Sequence, residues 1–243
     1  MKRYYYLFNF AFCLTQGTLA ICPLLFGFSP LGLQAQVPIA QYSFTGNAND
    51  LSTFGNNAVI NGATPTQDRF GVANSAFAFD GVQSTITAKN AAQLNSAKTT
   101  ISFWVKVNKL PGQGEVFLLS NGGWQERWKI SLPSHGRPVF TTNSASGIKD
   151  MDTDSVSLPV GAWKHLVMVH DGANDKIYVN GVLKKSIAVV GDLNSTTKPL
   201  GIGWNPIDTA NYFNGSLDEV TIFNTALTDV RHKVLYRFLL MVK

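Results

Sequence analysis

Cysteine is almost absent from this chain: Cys13 and Cys22 are the only two, and both precede residue 35. A disulfide framework is therefore excluded for the remainder, which must be held by packing, hydrogen bonds or a bound ion. Charge is also scarce, at 14% of residues, and only three residues, Glu115, Glu126 and Glu219, are glutamates. The lysines are scattered without a basic run, so the formal charge of +5 is a solubility feature and not the footprint of a nucleic-acid binder. Glutamate is rare while Ala, Asn, Thr and Gly are plentiful, which argues against long helices. What is plentiful is 45% hydrophobic and 12% aromatic residues in 243, enough for one β domain with a sizeable core.

The first 35 residues differ from the rest. Lys2 and Arg3 precede an apolar stretch through Phe28, and Leu33-Gln34-Ala35 supplies small-residue cleavage chemistry. This is expected to be a secretory signal peptide cut before Gln36, leaving a domain over 36–243. The alternative is a membrane anchor, but Asn9, Gln16, Pro23 and Pro30 interrupt any apolar run of about 20 residues. Lipid attachment at Cys22 is disfavoured by Ile21, where a small residue is required. The expected location is secreted or cell envelope, with no membrane span after signal removal.

From Val37 onward short alternating runs recur between Gly, Asn, Asp and Pro, the spacing of an antiparallel sandwich. Strands are predicted over 39–44, 76–80, 99–107, 163–170, 176–179, 182–185, 200–203 and 215–223. In 99–107, Ile101, Phe103, Val105 and Val107 alternate with Ser102, Trp104 and Lys106, so one face is core. Asn180-Gly181 predicts a two-residue type I′ hairpin turn, which needs positive φ at both positions. Only the end reads as helix, with Val230, Val234, Leu235, Phe238 and Leu239 on one face.

These runs carry a pattern. Tyr42-Ser43-Phe44-x-Gly46-Asn47-Ala48-x-Asp50, Asp68-Arg69-Phe70-Gly71 and Ala76-Phe77-Ala78-Phe79-Asp80-Gly81 are followed by Thr100-Ile101-Ser102-Phe103-Trp104, Trp163-Lys164-His165-Leu166, Tyr178-Val179-Asn180-Gly181 and Phe213-Asn214-Gly215-Ser216-Leu217-Asp218-Glu219-Val220. In this order the segments resemble the LamG-like jelly-roll domains of the laminin G, concanavalin A-like superfamily. The resemblance implies an all-β, two-sheet antiparallel jelly-roll sandwich with a short C-terminal helix. Arg231 departs from it, standing near where such domains often carry an acid. The fold hosts lectins, adhesion modules and hydrolases alike, so it does not fix the function.

Hydrolytic relatives use a Glu-x-Asp-x-x-Glu strand, and a retaining pair holds its carboxyls about 5 Å apart. No such motif occurs here. Glu115 and Glu126 fall in loop-like stretches, and Asp218 and Glu219 would point to opposite faces. No Gly-x-Ser-x-Gly elbow is present, and His135, His165, His170 and His232 lack catalytic spacing. Calcium, which takes about six to eight oxygens from carboxylates and carbonyls, suits the oxygen-rich loop 46–50. Asp218, in phase with Val220 and Ile222, would be an inward carboxylate needing a partner. The resemblance places the first and last strands side by side and implies that Asp50 and Asp218 share calcium with the Gly46 or Asn47 carbonyl. The alternative is that Asn47 and Asp50 make turn bonds while Asp218 caps backbone amides.

Trp104 and Trp163 fall on strands and are expected to pack. Trp124, Trp128 and Trp204 lie beside Gly, Asn and Pro, where exposed rings make stacking platforms, with Asn205 and Asn121 as hydrogen-bonding neighbours. The alternative is that they plug one end of the sandwich. The function these features favour is a carbohydrate-binding or adhesion module without catalytic activity, whose partner is a glycan or an extracellular protein. The alternatives are an enzyme with an unrecognised acid pair, among Asp150, Asp152 and Asp154, and a structural envelope protein.

Overall fold

Residues 36–239 are described by the structure, a computed structural model. The expected leader lies outside the described residues, as do the side chains of Val234, Phe238 and Leu239. The first strands are β1 (Ala40–Tyr42), β2 (Val59–Asn61), β3 (Thr64–Thr66), β4 (Ala76–Asp80), β5 (Thr85–Ala88) and β6 (Thr99–Val107). Next come β7 (Glu115–Asn121), β8 (Trp128–Pro133), β9 (Val139–Ser144), β10 (Gly147–Asp152) and β11 (Trp163–His170). The chain continues through β12 (Asn174–Val179), β13 (Val182–Ala188), β14 (Leu200–Ile202) and β15 (Asn214–Phe223). A helical turn, α1 (Gly123–Glu126), joins β7 to β8, and α2 (Asp229–Leu239) follows β15.

The strands form two antiparallel sheets, as a jelly-roll sandwich requires. One runs β13-β12-β11-β6-β15-β4-β3 with β1 also on β15, and the other runs β10-β9-β8-β7-β14-β5-β2. The core lies between them. β6 and β11 send Ile101, Phe103, Val105, Leu166 and Met168 inward, where they meet Leu119, Trp128, Ile130, Leu132 and Phe140 of the second sheet. The β12–β13 turn has the predicted backbone, Asn180 at φ 50° and Gly181 at φ 72°. Residues 115–152, where alternation predicted no strand, form four. Glu115 therefore opens β7, Glu126 ends α1, and Asp150 and Asp152 lie on β10.

β15 bonds to β6 along one edge, and to β4 and then β1 along the other. Its register slips between Asp218 and Thr221, with Glu219 at φ 52°. This bulge inserts one residue and reverses the alternation. Asp218 therefore stands opposite Trp104, on the outer face, while Val220 and Ile222 face the core. The inward phase expected for Asp218 is corrected by the bulge. The carboxylate is nonetheless fully buried, because that outer face is roofed.

The roof is α2. Tyr236 stacks over Trp104 at 5.9 Å and over His165 at 5.8 Å, and His232 lies 4.3 Å from the Tyr178 ring. The Tyr178 hydroxyl donates to Asp229 at the helix start, at 2.5 Å. Among the described side chains of this helix, Val230 is exposed while His232 and Tyr236 meet the sheet.

Candidate functional site

The second sheet ends in a surface built from two chain segments. After β14 the chain leaves the ladder and returns through a small hairpin over 204–211, closed by the Asn205 amide donating to the Ala210 carbonyl at 3.0 Å. Asn205 organises its tip: the Nδ2 donates to Asp208 Oδ2 at 2.9 Å, and the Ile207 amide donates to Asn205 Oδ1 at 3.0 Å. Pro206 folds back over Gly201, where a Cβ would come within 2.7 Å of the Pro206 ring, so the hairpin lies flat only because that strand position has no side chain. Ile207 reaches Gly123 of α1. Between the two segments is a shallow cleft lined by Trp124, Gln125, Glu126, Asn205, Ile207 and Asp208 with the Gly122 and Gly123 backbone. A second groove continues past Gln125 and Glu126 along residues 194–197.

Of the five residues offered for ligand contact, the structure brings Trp124, Trp204 and Asn205 to this end, while Asn121 is fully buried at the end of β7. Trp124 is 39% exposed at the cleft. Trp204 is half-buried at the hairpin base, stacked parallel on Tyr212 with centroids 6.3 Å apart. Asn205 lines the cleft but is 2% exposed, and both ends of its amide hold the hairpin, so it is scaffold more than a hydroxyl partner. Trp128 is the correction: it is 1% exposed and belongs to the core, because Trp128, Ile130 and Leu132 are the inward set of β8. Sequence reading missed Tyr212, Ile207 and the 194–197 groove. The Asn205-Pro206 step before Asp208 is the one local signal for this turn.

Arg127 sits beneath the site. It is fully buried, donating through Nη1 to the Asn194 carbonyl at 2.6 Å and through Nη2 to the Ser96 carbonyl, and so ties the 194–197 segment to α1. Burial lowers its pKa to about 10, still charged at neutral pH.

The two carboxylates predicted to share calcium, Asp50 and Asp218, are occupied by protein donors. Asp50 Oδ1 accepts from the Gln41 and Ser52 amides, and Oδ2 from the Ser52 hydroxyl and the Asn56 amide, at 2.8–2.9 Å. Those four bonds fill the acceptor positions of a carboxylate. Asn47 closes its own turn, accepting from the Asn49 amide and donating to the Thr45 carbonyl, and Gly46 takes the left-handed φ of 75° there. Asp218 Oδ2 pairs with Arg69 Nη1 at 2.9 Å, both side chains being buried. The Arg69 guanidinium is sandwiched by Phe70 at 4.5 Å and Trp104 at 4.6 Å. Arg69 thus already neutralises Asp218 in the fold. Among the described residues no three His, Cys, Asp or Glu side chains converge on a metal-sized centre.

Two histidine clusters resemble catalytic parts without access to solvent. His165 Nε2 and Ser102 Oγ are 2.8 Å apart, yet both residues are fully buried under α2. His170, Asp175 and Thr142 form a chain of 2.7 and 2.6 Å contacts that ends on the Gly191 carbonyl, also buried. A nucleophile must meet its substrate, so these are structural networks. The acids of 150–154 are engaged as well: Asp150 with Thr141, Asp152 with Arg137, and Asp154 with Lys185.

Residues 80–230 match a laminin G-type family profile, described as the concanavalin A-like lectin/glucanases superfamily. No curated protein matches the chain in sequence. Among solved structures, the binding domain of Paraclostridial Mosquitocidal Protein 1 superposes with a TM-score of 0.70 at 21% identity, over 85% of this chain and 53% of that one. Domain 4 of AbnA, a GH43 extracellular arabinanase from Geobacillus stearothermophilus solved with arabinotriose, superposes at 0.66 and 25% identity, over 83% of this chain and 98% of that one. The binding domain of botulinum neurotoxin serotype G gives 0.66 at 21%, over 83% and 51%. The chain thus spans about half the length of the toxin binding domains and nearly all of the arabinanase domain.

Proposed function

We propose, from the premise that this chain belongs to the concanavalin A-like lectin/glucanase superfamily, that it is an exported, non-catalytic module that binds glycans at the α1–hairpin end of its second sheet. The observation that carries this reading is the pairing of an exposed ring, Trp124, with a cleft and groove lined by amide, hydroxyl and carboxylate side chains. Sugar rings stack their C–H faces on aromatics while their hydroxyls take directional hydrogen bonds, so a platform beside polar side chains is the matching chemistry. The arabinanase domain, similar in size and fold, supplies the first probe. The absence of catalysis is supported by the sealed histidines and by the engagement of Asp150, Asp152 and Asp154 with Thr141, Arg137 and Lys185.

Titration calorimetry with arabino-oligosaccharides, backed by a glycan array, is the test. Saturable binding that Trp124→Ala weakens about tenfold supports the reading. Binding that ignores Trp124, or release of reducing sugar that Glu126→Gln abolishes, overturns it. Export is read from the mature N-terminus: mass spectrometry should find Gln36, and an intact Met1 in membranes would mean an anchor.

A further inference from the structure

The cleft beside Trp124 carries a charge pattern that glycan binding alone does not require. Glu126 and Asp208 line it together, and neither lies within ion-pair distance of a Lys, Arg or His among the described residues. Their hydrogen bonds come from uncharged donors, the Thr196 hydroxyl for Glu126 and the Asn205 amide for Asp208. No Lys or Arg lines the cleft or the adjoining 194–197 groove. The nearest cation in sequence, Arg127, is buried and directed to the Asn194 and Ser96 carbonyls. This local sign opposes that of the whole chain, whose formal charge is +5.

We infer that this cleft selects by charge: its ligands are neutral or amine-bearing glycans, and glycans carrying carboxylate or sulfate are rejected. The inference rests on the glycan-binding reading of the same site. A sugar stacked on Trp124 brings its substituents to the cleft wall. A hydroxyl there meets acceptors it can donate to, and an ammonium meets two opposite charges and an aromatic face. A carboxylate or sulfate meets two like charges while losing water, and such repulsion discriminates between partners more sharply than added attraction does. The net positive charge of the chain gives acidic polymers weak, salt-sensitive association elsewhere, which does not depend on Trp124.

The experiment compares three oligomers of similar length by calorimetry at about 150 mM salt: a neutral arabino-oligosaccharide, a uronic-acid oligomer and a glucosamine oligomer with free amines. The neutral and amine-bearing ligands are expected to bind, and the uronate at least about tenfold more weakly. The double variant Glu126→Gln, Asp208→Asn keeps the acceptors for Thr196 and Asn205. It should bring the ratio of neutral to uronate affinity, both measured on the variant, from at least about tenfold towards one. Uronate binding as tight as neutral binding in the unaltered protein, and lost in Trp124→Ala, overturns the charge rule while leaving the site standing. Failure of all three oligomers to bind, in protein with unchanged thermal melting, removes the site and this inference with it.

Discussion

Trp124 and Trp128 are four residues apart and look alike in sequence, each beside polar neighbours, yet one is solvent-exposed and the other is core. The difference is the strand that begins at Trp128, whose inward phase is set by pairing with β7 and β9. Removing a buried Trp leaves a cavity, so Trp128→Ala is expected to lose about 3–5 kcal/mol in denaturant titration. Trp124→Ala should stay within about 0.5 kcal/mol and lose ligand affinity instead. If the two variants melt alike, the burial contrast is wrong. Arg69 makes a second residue-scale case, 149 positions from its partner. A carboxylate under a roof demands compensation, but no local pattern says which cation supplies it. Arg69→Met strands the Asp218 charge and is expected to lose about 3–5 kcal/mol, and adding Asp218→Asn should recover a good part of that. A single-variant loss below about 1 kcal/mol would show that the pair is solvated.

The elements differ in how plainly the sequence declares them. The 180–181 hairpin and the β6 alternation were legible because each depends on a few adjacent residues, positive φ in one and period two in the other. The bulge in β15 was not, because Glu219 has no special propensity for φ 52° and is held there by β4, β6 and β1 on its flanks. Helix α2 was legible as a helix, but His232 and Tyr236, which make its roof contact, lie outside the apolar set that announced it. That contact has a pH consequence. Burial, then the charges of Arg69 and His232, lowers the His165 pKa to about 3; burial also lowers His232 to about 4, against the opposing pull of the Leu227 carbonyl and Asp229. Both imidazoles are neutral in the fold and protonate near 6.5 once unfolded. The unfolded chain therefore binds more protons below pH 6.5, and stability falls as pH drops from 6.5 towards 4. The loss approaches about 1.4 kcal/mol per pH unit for each histidine. Asp80, held down by the Gln83, Val82 and Ser84 amides, destabilises only below the ordinary carboxylate range, so the windows separate. Thermal melts should fall by several degrees between pH 7 and 4.5, and His232→Leu should flatten that dependence. A profile unchanged in the variant would remove His232 from the account.

At the scale of the whole molecule, seven of the eight strands of the first sheet overlap predicted segments, whereas in the second only β14 does. The inner residues of β8 alternate well enough, but Lys129, Ser131, Thr141 and Asp150 on the outer face dilute the hydrophobic period. A bulge between Phe117 and Leu119 also breaks β7, and β2 is only three residues long. Such strands exist because partners distant in sequence complete their ladders. The site lies at the end of that second sheet, so it was legible only as two isolated tryptophans and an asparagine. The first and last strands are joined by the same logic. β1 pairs Tyr42 with Val220, β15 carries Asp218 onto Arg69, and the loop after β1 closes on Asp50 through four donors. A disulfide-free domain thus has its first and last strands tied by ladder, ion pair and loop. Calcium shared by Asp50 and Asp218 would have to displace those donors, yet it would add about 2.7 kcal/mol at a hundredfold excess over Kd. The filled acceptors lead us to expect that melts of metal-stripped protein coincide with and without added calcium. Asp50→Ala should destabilise equally in both, because it removes acceptors from three backbone amides and a hydroxyl at about 1 kcal/mol each. A calcium-dependent rise in Tm of several degrees that Asp50→Ala abolishes would restore calcium as the tie between the first and last strands.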